Sequence, residues 1–204
     1  MKVLFMRHGE SKAQAKLVDE ATTPDSEVGL TDNGIEQVKN AAREFHDNID
    51  AVYASPYYRT QLTAQIFLQE SGINKPIITD ERLHEIDYGY PRIKEELTAV
   101  AVKQVAGDYE IRFGNTGENK REIVTRLFSF LVDIFKKHKP TDTVLAVSHG
   151  RAMSVLQHEF NEINNIPDTE HGGTKNAQIK DFELTPERVA NIVQRIKELN
   201  TNSK

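Results

Sequence analysis

Apolar runs of strand length alternate with amphipathic segments along the chain. Residues 2–7 and 143–148 are largely apolar, which is typical of strands buried on both faces. Shorter runs at 50–54 and 76–79 predict two more strands, and the alternation at 177–184 predicts an edge strand. Five strands are therefore expected.

Helical spacing of apolar residues fills most of the segments between these strands. Thr31 is the expected N-cap of the first helix. The predicted helices cover 31–48, a segment that follows Ser55 and Pro56, 119–138, 151–160 and 185–199. Alternating strands and helices predict a single α/β domain over 1–204 with a mostly parallel sheet.

Three segments lack a strong pattern and are expected to form the roof of a pocket, namely 12–29, 88–118 and 161–176. Within the second of these, 93–106 is weakly helical and 107–118 has the glycines of a loop. We therefore expect 88–118 to act as a lid or a substrate-specificity segment.

Composition narrows the class of function. The net charge of -5, with no basic tract, argues against a nucleic-acid partner. No apolar stretch reaches the roughly 18 residues of a membrane span, and the N-terminus lacks a signal-peptide pattern, so a cytoplasmic protein without a membrane partner is expected. The chain has no cysteine, which excludes disulfides, thiolate metal sites and cysteine nucleophiles.

A histidine and a glycine follow both of the long apolar runs: His8 and Gly9 after the first, His149 and Gly150 after the second. Ligands of open α/β sheets bind beyond the carboxyl ends of the strands, so both histidines are expected at one crevice. The neighbouring Arg7 should lower the pKa of His8 by like-charge repulsion, leaving a neutral nucleophile suited to attack on phosphorus. Each motif alone also fits a structural role.

Arg59 supplies a second cationic group at a strand end. It lies in the first turn of a predicted helix, where the helix N-terminus also favours anions. Alone, an arginine at such a position is more often a solvated surface charge. Together with Arg7, whose planar fork matches phosphate oxygens, and the two histidines, it predicts a phosphate pocket.

These residues belong to a longer ordered set of motifs over residues 1–153. The set resembles the histidine phosphatase superfamily, in particular its phosphoglycerate mutase-like group. The matching positions are Arg7-His8-Gly9-Glu10-Ser11, Gly29-Leu30-Thr31 with Gly34 and Gln37, Ser55-Pro56 with Arg59 and Thr63, Leu83 and Glu85 with Gly89, Gly117-Glu118, and Ser148-His149-Gly150, followed by Asn176-Ala177.

The resemblance implies a three-layer α/β/α sandwich and a phosphomonoester hydrolase that forms a phosphohistidine on His8. Glu85 would protonate the leaving alcohol, and His149 would complete the catalytic set by stabilising the phosphoryl charge. The resemblance places Arg7, Arg59, Ser11 and Gly150 in the phosphate pocket. Gln14 departs from it, because many relatives have an asparagine there, but its amide is expected to donate a hydrogen bond to the phosphate as well. No metal and no cofactor are implied.

A zinc or iron site is an alternative use of His8 and His149, with Glu85 or Asp87 as a further ligand. Two arginines beside such ligands would repel a dication, which disfavours this alternative.

Two other functions stay open at this point. In the family that the chain resembles, mutase activity goes with longer insertions after the acid-bearing loop. The stretch between Gly89 and Gly117 is short, so the resemblance disfavours a phosphoglycerate mutase-type transfer. A non-catalytic phosphate- or phosphopeptide-binding module would have no need for Glu85. The expected substrate is a small phosphorylated metabolite, with a phosphoprotein as the second candidate, and the oligomeric state is not predicted.

Overall fold

A five-stranded sheet forms the centre of the protein. The computed structural model describes residues 1–19, 22–89, 99–100, 103, 107–167 and 173–201. The strands are β1 (Lys2–Arg7), β2 (Ala51–Ala54), β3 (Ile77–Thr79), β4 (Thr143–Ser148) and β5 (Ile179–Glu183). Their order is β3-β2-β4-β1-β5, with β5 antiparallel to β1 and the other pairs parallel. The prediction of a mostly parallel sheet with an edge strand at 177–184 is confirmed.

Helices cover both faces of this sheet. They are α1 (Asp32–Arg43), α2 (Tyr58–Ser71), α3 (Lys120–Lys137), α4 (Gly150–Ile163) and α5 (Pro186–Thr201). One hydrophobic core joins the sheet to α1 and α2, and the other joins it to α3, α4 and α5. The three-layer α/β/α architecture is therefore confirmed.

Strand β1 shows why the two long runs are apolar throughout. Successive side chains point to opposite faces of a sheet. Val3 and Phe5 accordingly enter the core with α3 to α5, while Leu4 and Met6 enter the core with α1 and α2. All four are almost completely buried. A strand with a core on each side has no position for a polar residue until it ends.

Local signals fix the helix starts near the predicted places. The Thr31 side chain accepts a hydrogen bond from the Gly34 backbone N–H and caps α1. Asn119 and Glu122 form a capping box at the start of α3. Helix α1 ends at Arg43, five residues before the predicted end, because 44–48 turn toward β2.

The expected lid is described only in part. The predicted helix at 93–106 lies for the most part outside the described residues. Where the segment is described, the Glu118 backbone N–H donates to the Asp87 carbonyl oxygen over 2.9 Å, and Phe113 is buried. The two ends of segment 88–118 are thus joined close to Glu85 in the chain. The role of this segment as a lid stays a prediction.

Among the residues described, none of the helices combines the length and the apolar character that crossing a bilayer requires.

Candidate active site

Strand register brings three strand ends together. Arg7 pairs with Ser148 at the end of the β1–β4 ladder, so the next residues, His8 and His149, stand side by side. Their ring centroids are 5.3 Å apart. On the other side of β4, the Ser55 backbone N–H donates to Val147 over 3.0 Å just beyond the end of β2. The strand ends that were predicted to face one crevice therefore meet at the same edge of the sheet.

His8 has one engaged and one free ring nitrogen. Its Nδ1 lies 2.6 Å from the Gly9 carbonyl oxygen. A carbonyl oxygen can only accept, so Nδ1 carries the proton and Nε2 keeps its lone pair. No described residue forms a hydrogen bond with Nε2. The arrangement presents a nucleophilic nitrogen at the crevice.

The pKa of His8 is lowered to about 3. Burial is the main cause, followed by the charge of Arg59 and then that of Arg7, while the hydrogen bond to Gly9 acts in the opposite direction. The imidazole is therefore neutral at physiological pH. The neutral state agrees with the sequence-based expectation, but Arg7 is a smaller cause than burial and Arg59.

Arg7 lies flat against the start of α4. Its Nη1 donates to the Thr174 carbonyl oxygen over 2.5 Å, and its Nε is buried without a hydrogen-bond partner among the described residues. A Cβ at position 150 would stand 2.8 Å from this Nε. A side chain at position 150 would therefore displace the guanidinium, and the orphaned Nε is a donor that an anion can satisfy.

Arg59 is held end-on by Asp25. Its Nη1 donates to the Asp25 carbonyl oxygen at 2.6 Å and to Oδ1 at 3.0 Å, and its Nη2 donates to Oδ2 at 3.2 Å. The guanidinium also stacks on the Tyr57 ring at 4.9 Å. Among the described residues, none accepts a hydrogen bond from the Nε–H or from the second Nη2–H, so these two of the five N–H donors of the arginine remain for a ligand. They form one edge of the fork, which is the geometry that phosphate oxygens need.

His149 is completely buried. Its Nε2 lies 2.8 Å from the Ser55 hydroxyl, its Nδ1 has no hydrogen-bond partner among the described residues, and the Tyr57 ring packs edge-on against it at 4.9 Å. Burial, followed by the charges of Arg59 and His8, holds the pKa of His149 well below its usual value. His149 is therefore a neutral hydrogen-bonding group.

Glu85 is held at the N-terminus of α4. Its Oε1 accepts from the backbone N–H groups of Ala152 at 2.9 Å and Ile86 at 3.0 Å, and its Oε2 lies 3.3 Å from the Arg151 nitrogen. The Glu85 charge also raises the pKa of Arg7, against the larger lowering by burial. The carboxyl group is therefore part of the same crevice.

Ser11 and Gln14 are bonded to each other and to the protein. The Gln14 side-chain oxygen accepts from the Ser11 backbone over 3.0 Å and from the Asn176 amide over 3.0 Å, and the Gln14 amide faces Asn176 Oδ1 at 3.4 Å. Asn176 in turn donates to the His8 carbonyl oxygen over 3.2 Å. Both side chains therefore brace the His8 loop, and the Gln14 amide meets a protein acceptor.

Other motif positions secure the backbone that follows His8. A Cβ on Gly9 would overlap the Gly34 carbonyl oxygen, so the loop and α1 approach closely. The Gly9 N–H donates to Thr63 over 3.2 Å, and the Glu10 N–H donates to Gln37 over 2.9 Å. These contacts join the motif that contains His8 to the motif positions in α1 and α2.

Sequence reasoning missed two residues of this crevice. Asp25 lies in a polar loop with no periodic pattern, so nothing in the sequence indicated that it would reach Arg59. Ser55 was identified only as a motif residue, and its contact with His149 depends on the adjacency of β2 and β4.

A metal-ligand cluster occurs elsewhere in the described chain. Its members are His158, Glu159 and Glu162, whose ligand atoms lie within 4.8 Å of one another. Lys120 already binds the Glu159 carboxylate at 2.7 Å, which disfavours a cation there. Within the described ranges, neither His8 nor His149 belongs to a cluster of this kind.

Comparison with known proteins gives a consistent picture. The model of the histidine phosphatase superfamily (branch 1) matches residues 3–200. Phosphoserine phosphatase 1 of Hydrogenobacter thermophilus is 29% identical over 168 residues, covering 76% of this chain and 74% of that protein. The phosphoglycerate mutase-like protein AT74 of Arabidopsis thaliana is 27% identical over 170 residues. That match covers 77% of this chain but only 54% of AT74.

Solved structures with the same fold include the phosphoserine phosphatase of Entamoeba histolytica in complex with 3-phosphoglyceric acid. It has a TM-score of 0.68 and 25% identity, and the match covers 89% of each chain. Bacillus stearothermophilus YhfR has a TM-score of 0.71 at 22% identity, covering 91% of this chain and 92% of that one, and this likeness concerns the fold.

Proposed function

Because this chain belongs to the histidine phosphatase superfamily, branch 1, we propose that it hydrolyses phosphomonoesters through a phosphohistidine on His8. The observation that carries the proposal is the state of His8. It is neutral, its proton is fixed on Nδ1 by Gly9, and its Nε2 is free in a crevice that also contains two arginines and His149.

In the first step, the His8 Nε2 lone pair forms a bond to phosphorus while the bond from phosphorus to the ester oxygen breaks. Glu85 gives its proton to the departing alkoxide, so an alcohol leaves. The free Nε–Nη2 edge of Arg59, the orphaned Nε of Arg7 and His149 hold the phosphoryl oxygens, whose charge must be stabilised during transfer.

In the second step, water attacks the phosphohistidine. Glu85, now a carboxylate, takes one proton from the water, the bond between nitrogen and phosphorus breaks, and inorganic phosphate leaves. His8 is restored with its proton on Nδ1, and Glu85 is restored as an acid. The cycle uses no metal ion and no cofactor.

The proposed substrate is a small phosphorylated metabolite, and a phosphoprotein is the second candidate. Two of the similar proteins carry the name phosphoserine phosphatase, which supports hydrolysis of a small ester. We also propose that Ser11 and Gln14 support the phosphate pocket by bracing the His8 loop, and that Gly150 acts through the space it leaves for Arg7.

The principal experiment is detection of the covalent intermediate. The protein is mixed with a labelled phosphomonoester and quenched, and we expect an acid-labile, base-stable phosphoryl adduct in the wild type and none in His8→Ala. The exposed His46→Ala serves as the matched control and should keep the adduct. An adduct that persists in His8→Ala would refute the assignment, and loss of activity on adding a chelator would refute metal independence.

Phosphoglycerate mutase-type transfer is the second candidate, because relatives of the chain include proteins with that name. An assay with 3-phosphoglycerate and a trace of the 2,3-bisphosphate distinguishes hydrolysis from mutase-type transfer. We expect release of phosphate, and rapid formation of 2-phosphoglycerate without phosphate release would establish the mutase instead. Failure to hydrolyse an aryl phosphate at any pH from acid to neutral would favour a non-catalytic phosphate- or phosphopeptide-binding module.

A further inference from the structure

Ser55 is a completely buried polar residue at the end of β2, and the catalytic steps above do not use it. The parallel register of β2 and β4 sets Ala54 beside Val147. One residue further along, the Ser55 side chain reaches sideways to the residue that follows β4. Its Oγ lies 2.8 Å from His149 Nε2.

The other hydrogen bonds of the Ser55 hydroxyl determine which group donates in its bond with His149 Nε2. The hydroxyl oxygen already accepts a long hydrogen bond of 3.4 Å from the Tyr57 backbone N–H. The hydroxyl also carries one proton that needs an acceptor. His149 Nε2 is the acceptor that the described residues offer, so the Ser55 O–H donates and Nε2 receives.

A neutral imidazole carries one proton, so a proton-free Nε2 places that proton on Nδ1. His149 Nδ1 is buried and has no hydrogen-bond partner among the described residues. Burying an unsatisfied N–H costs free energy, and such a group in a native structure needs an explanation. A phosphoryl oxygen in the crevice would be that partner.

With the opposite tautomer, a lone pair on Nδ1 would face the anion. Two electron-rich groups would then meet in a buried site, which opposes binding of the phosphoryl group. The choice of tautomer therefore decides whether His149 attracts or repels its ligand.

We propose that Ser55 is a positioning residue that sets the tautomer of His149, so that His149 presents Nδ1–H to the phosphoryl oxygens. This role rests on the proposed phosphoryl transfer at His8. The low pKa of His149 agrees with it, because a neutral ring must choose one nitrogen for its proton.

The two histidines then use the same tautomer for opposite purposes. In His8 a backbone carbonyl holds the proton on Nδ1 and frees the Nε2 lone pair for attack. In His149 the serine occupies the Nε2 lone pair and leaves the Nδ1 proton as a donor. Ser55 thereby distinguishes the group that donates a hydrogen bond to phosphate from the group that attacks it.

The direct test is nitrogen NMR of the protein labelled with 15N in its histidines. We expect His149 of the wild type to show a protonated Nδ1 and an unprotonated Nε2, with the signals assigned by their loss in His149→Asn. Adding inorganic phosphate should shift the Nδ1 signal more than the Nε2 signal. A wild-type His149 with its proton on Nε2 would overturn the proposal without the need for a Ser55 variant.

Kinetics of Ser55→Ala give the second readout. We expect kcat on a phosphomonoester to fall by about 10²-fold with a smaller change in KM, because the lost donor acts most strongly on the transition state. His149 in this variant should show a mixture of tautomers. Unchanged tautomer signals together with unchanged kcat would contradict the role.

Thr60→Val is the matched control. Thr60 is equally buried in the first turn of α2, and its hydroxyl donates to the carbonyl oxygens of Ser55 at 2.9 Å and Tyr57 at 2.6 Å, with no hydrogen bond to His149. It should keep the wild-type tautomer and a kcat within about threefold. This test is independent of the test of the proposed function. NMR reads the tautomer of His149 whether or not His8 forms a phosphohistidine, so either proposal can fail without the other.

Discussion

For individual residues of the crevice, burial controls the protonation of the two histidines. It is the largest cause of the lowered pKa in both His8 and His149, and the charge of Arg59 comes second in both. A buried histidine resists taking up a proton because its charged form loses hydration. The same burial that keeps His8 nucleophilic therefore makes the fold sensitive to acid.

We expect the free energy of unfolding to fall as the pH is lowered from about 6.5 toward 3. The unfolded chain protonates His8 near the ordinary pKa of about 6.5, while the native state does so only near 3, so the unfolded state binds more protons in this window. For His8 alone the loss between pH 7.5 and pH 5 amounts to about 2 kcal/mol. His149 acts in the same direction.

Urea denaturation at both pH values measures this loss, and His8→Gln should show the smaller dependence. His46→Gln, at an exposed position, should retain the wild-type dependence. The same slope in His8→Gln and in the wild type would mean that His8 titrates normally in the native state.

At the scale of single residues, the sequence predicts relations between residues that are close together along the chain. The juxtaposition of Arg7 and His8 is visible in the sequence, and so is the first-turn position of Arg59. The contacts of Ser55 with His149 and of Asp25 with Arg59 join residues 94 and 34 positions apart. Such contacts have no periodic signature, so only the folded structure reveals them.

Among the structural elements, the loop before α1 is tied to α2 through Asp25. This residue begins a short 3₁₀ turn, Asp25–Glu27, and accepts from both terminal nitrogens of Arg59. The Arg59 side chain is only 5% exposed, so its charge requires a partner. Asp25 therefore orients the guanidinium and fastens one of the segments expected to form the roof.

We expect Asp25→Ala to raise KM for a phosphomonoester and Ki for inorganic phosphate in parallel, by about tenfold, with a smaller effect on kcat. A guanidinium without its end-on partner no longer holds its free edge toward the phosphate, and misorientation of this kind weakens binding strongly. Steady-state kinetics with phosphate as a competitive inhibitor measures both constants.

Glu27→Ala controls for the loss of one negative charge, because Glu27 is exposed in the same turn. It should change Ki by less than about twofold, as expected for a screened surface charge. If Asp25→Ala instead bound phosphate more tightly, Asp25 would be a competitor of the phosphate for Arg59 and not its support.

Element boundaries were less predictable than element types. All five strands and the five helices bounded above correspond to segments with the predicted periodicity. Helix α2 begins at Tyr58, two residues after Pro56, because 56 and 57 form the bend that carries Ser55 to His149. Pro56 indicates that the chain bends here, but the sequence does not predict how many residues the bend contains.

In the molecule as a whole, a buried ionic cluster joins the helices on the face opposite α1 and α2. Glu159 of α4 is completely buried and binds Lys120 of α3 at 2.7 Å and Arg195 of α5 at 3.3 Å. It also accepts a hydrogen bond of 2.5 Å from the Tyr109 hydroxyl. The cluster thus fixes three helices and the described end of the expected lid to one carboxylate.

This cluster was not predictable from the sequence, although α3, α4 and α5 were each expected. The amphipathic patterns predict that each helix has an apolar face, but they do not predict which helices are neighbours. Glu159 follows the exposed His158 in a helix whose polar positions otherwise fit a solvated face. Its burial results from the packing of α3 and α5 around the C-terminal half of α4.

We expect Glu159→Ala to lower the free energy of unfolding by about 3–5 kcal/mol, because it leaves the Lys120 ammonium buried without a partner. The double variant Lys120→Met with Glu159→Leu should recover most of this loss, since apolar side chains of similar volume satisfy the same space. Arg43→Ala, which breaks exposed ion pairs with Glu36 and Glu70, should cost far less, because exposed charges stay solvated with or without their partners. Urea denaturation ranks the three, and a Glu159→Ala loss no larger than that of Arg43→Ala would show that the cluster does not hold the helices together.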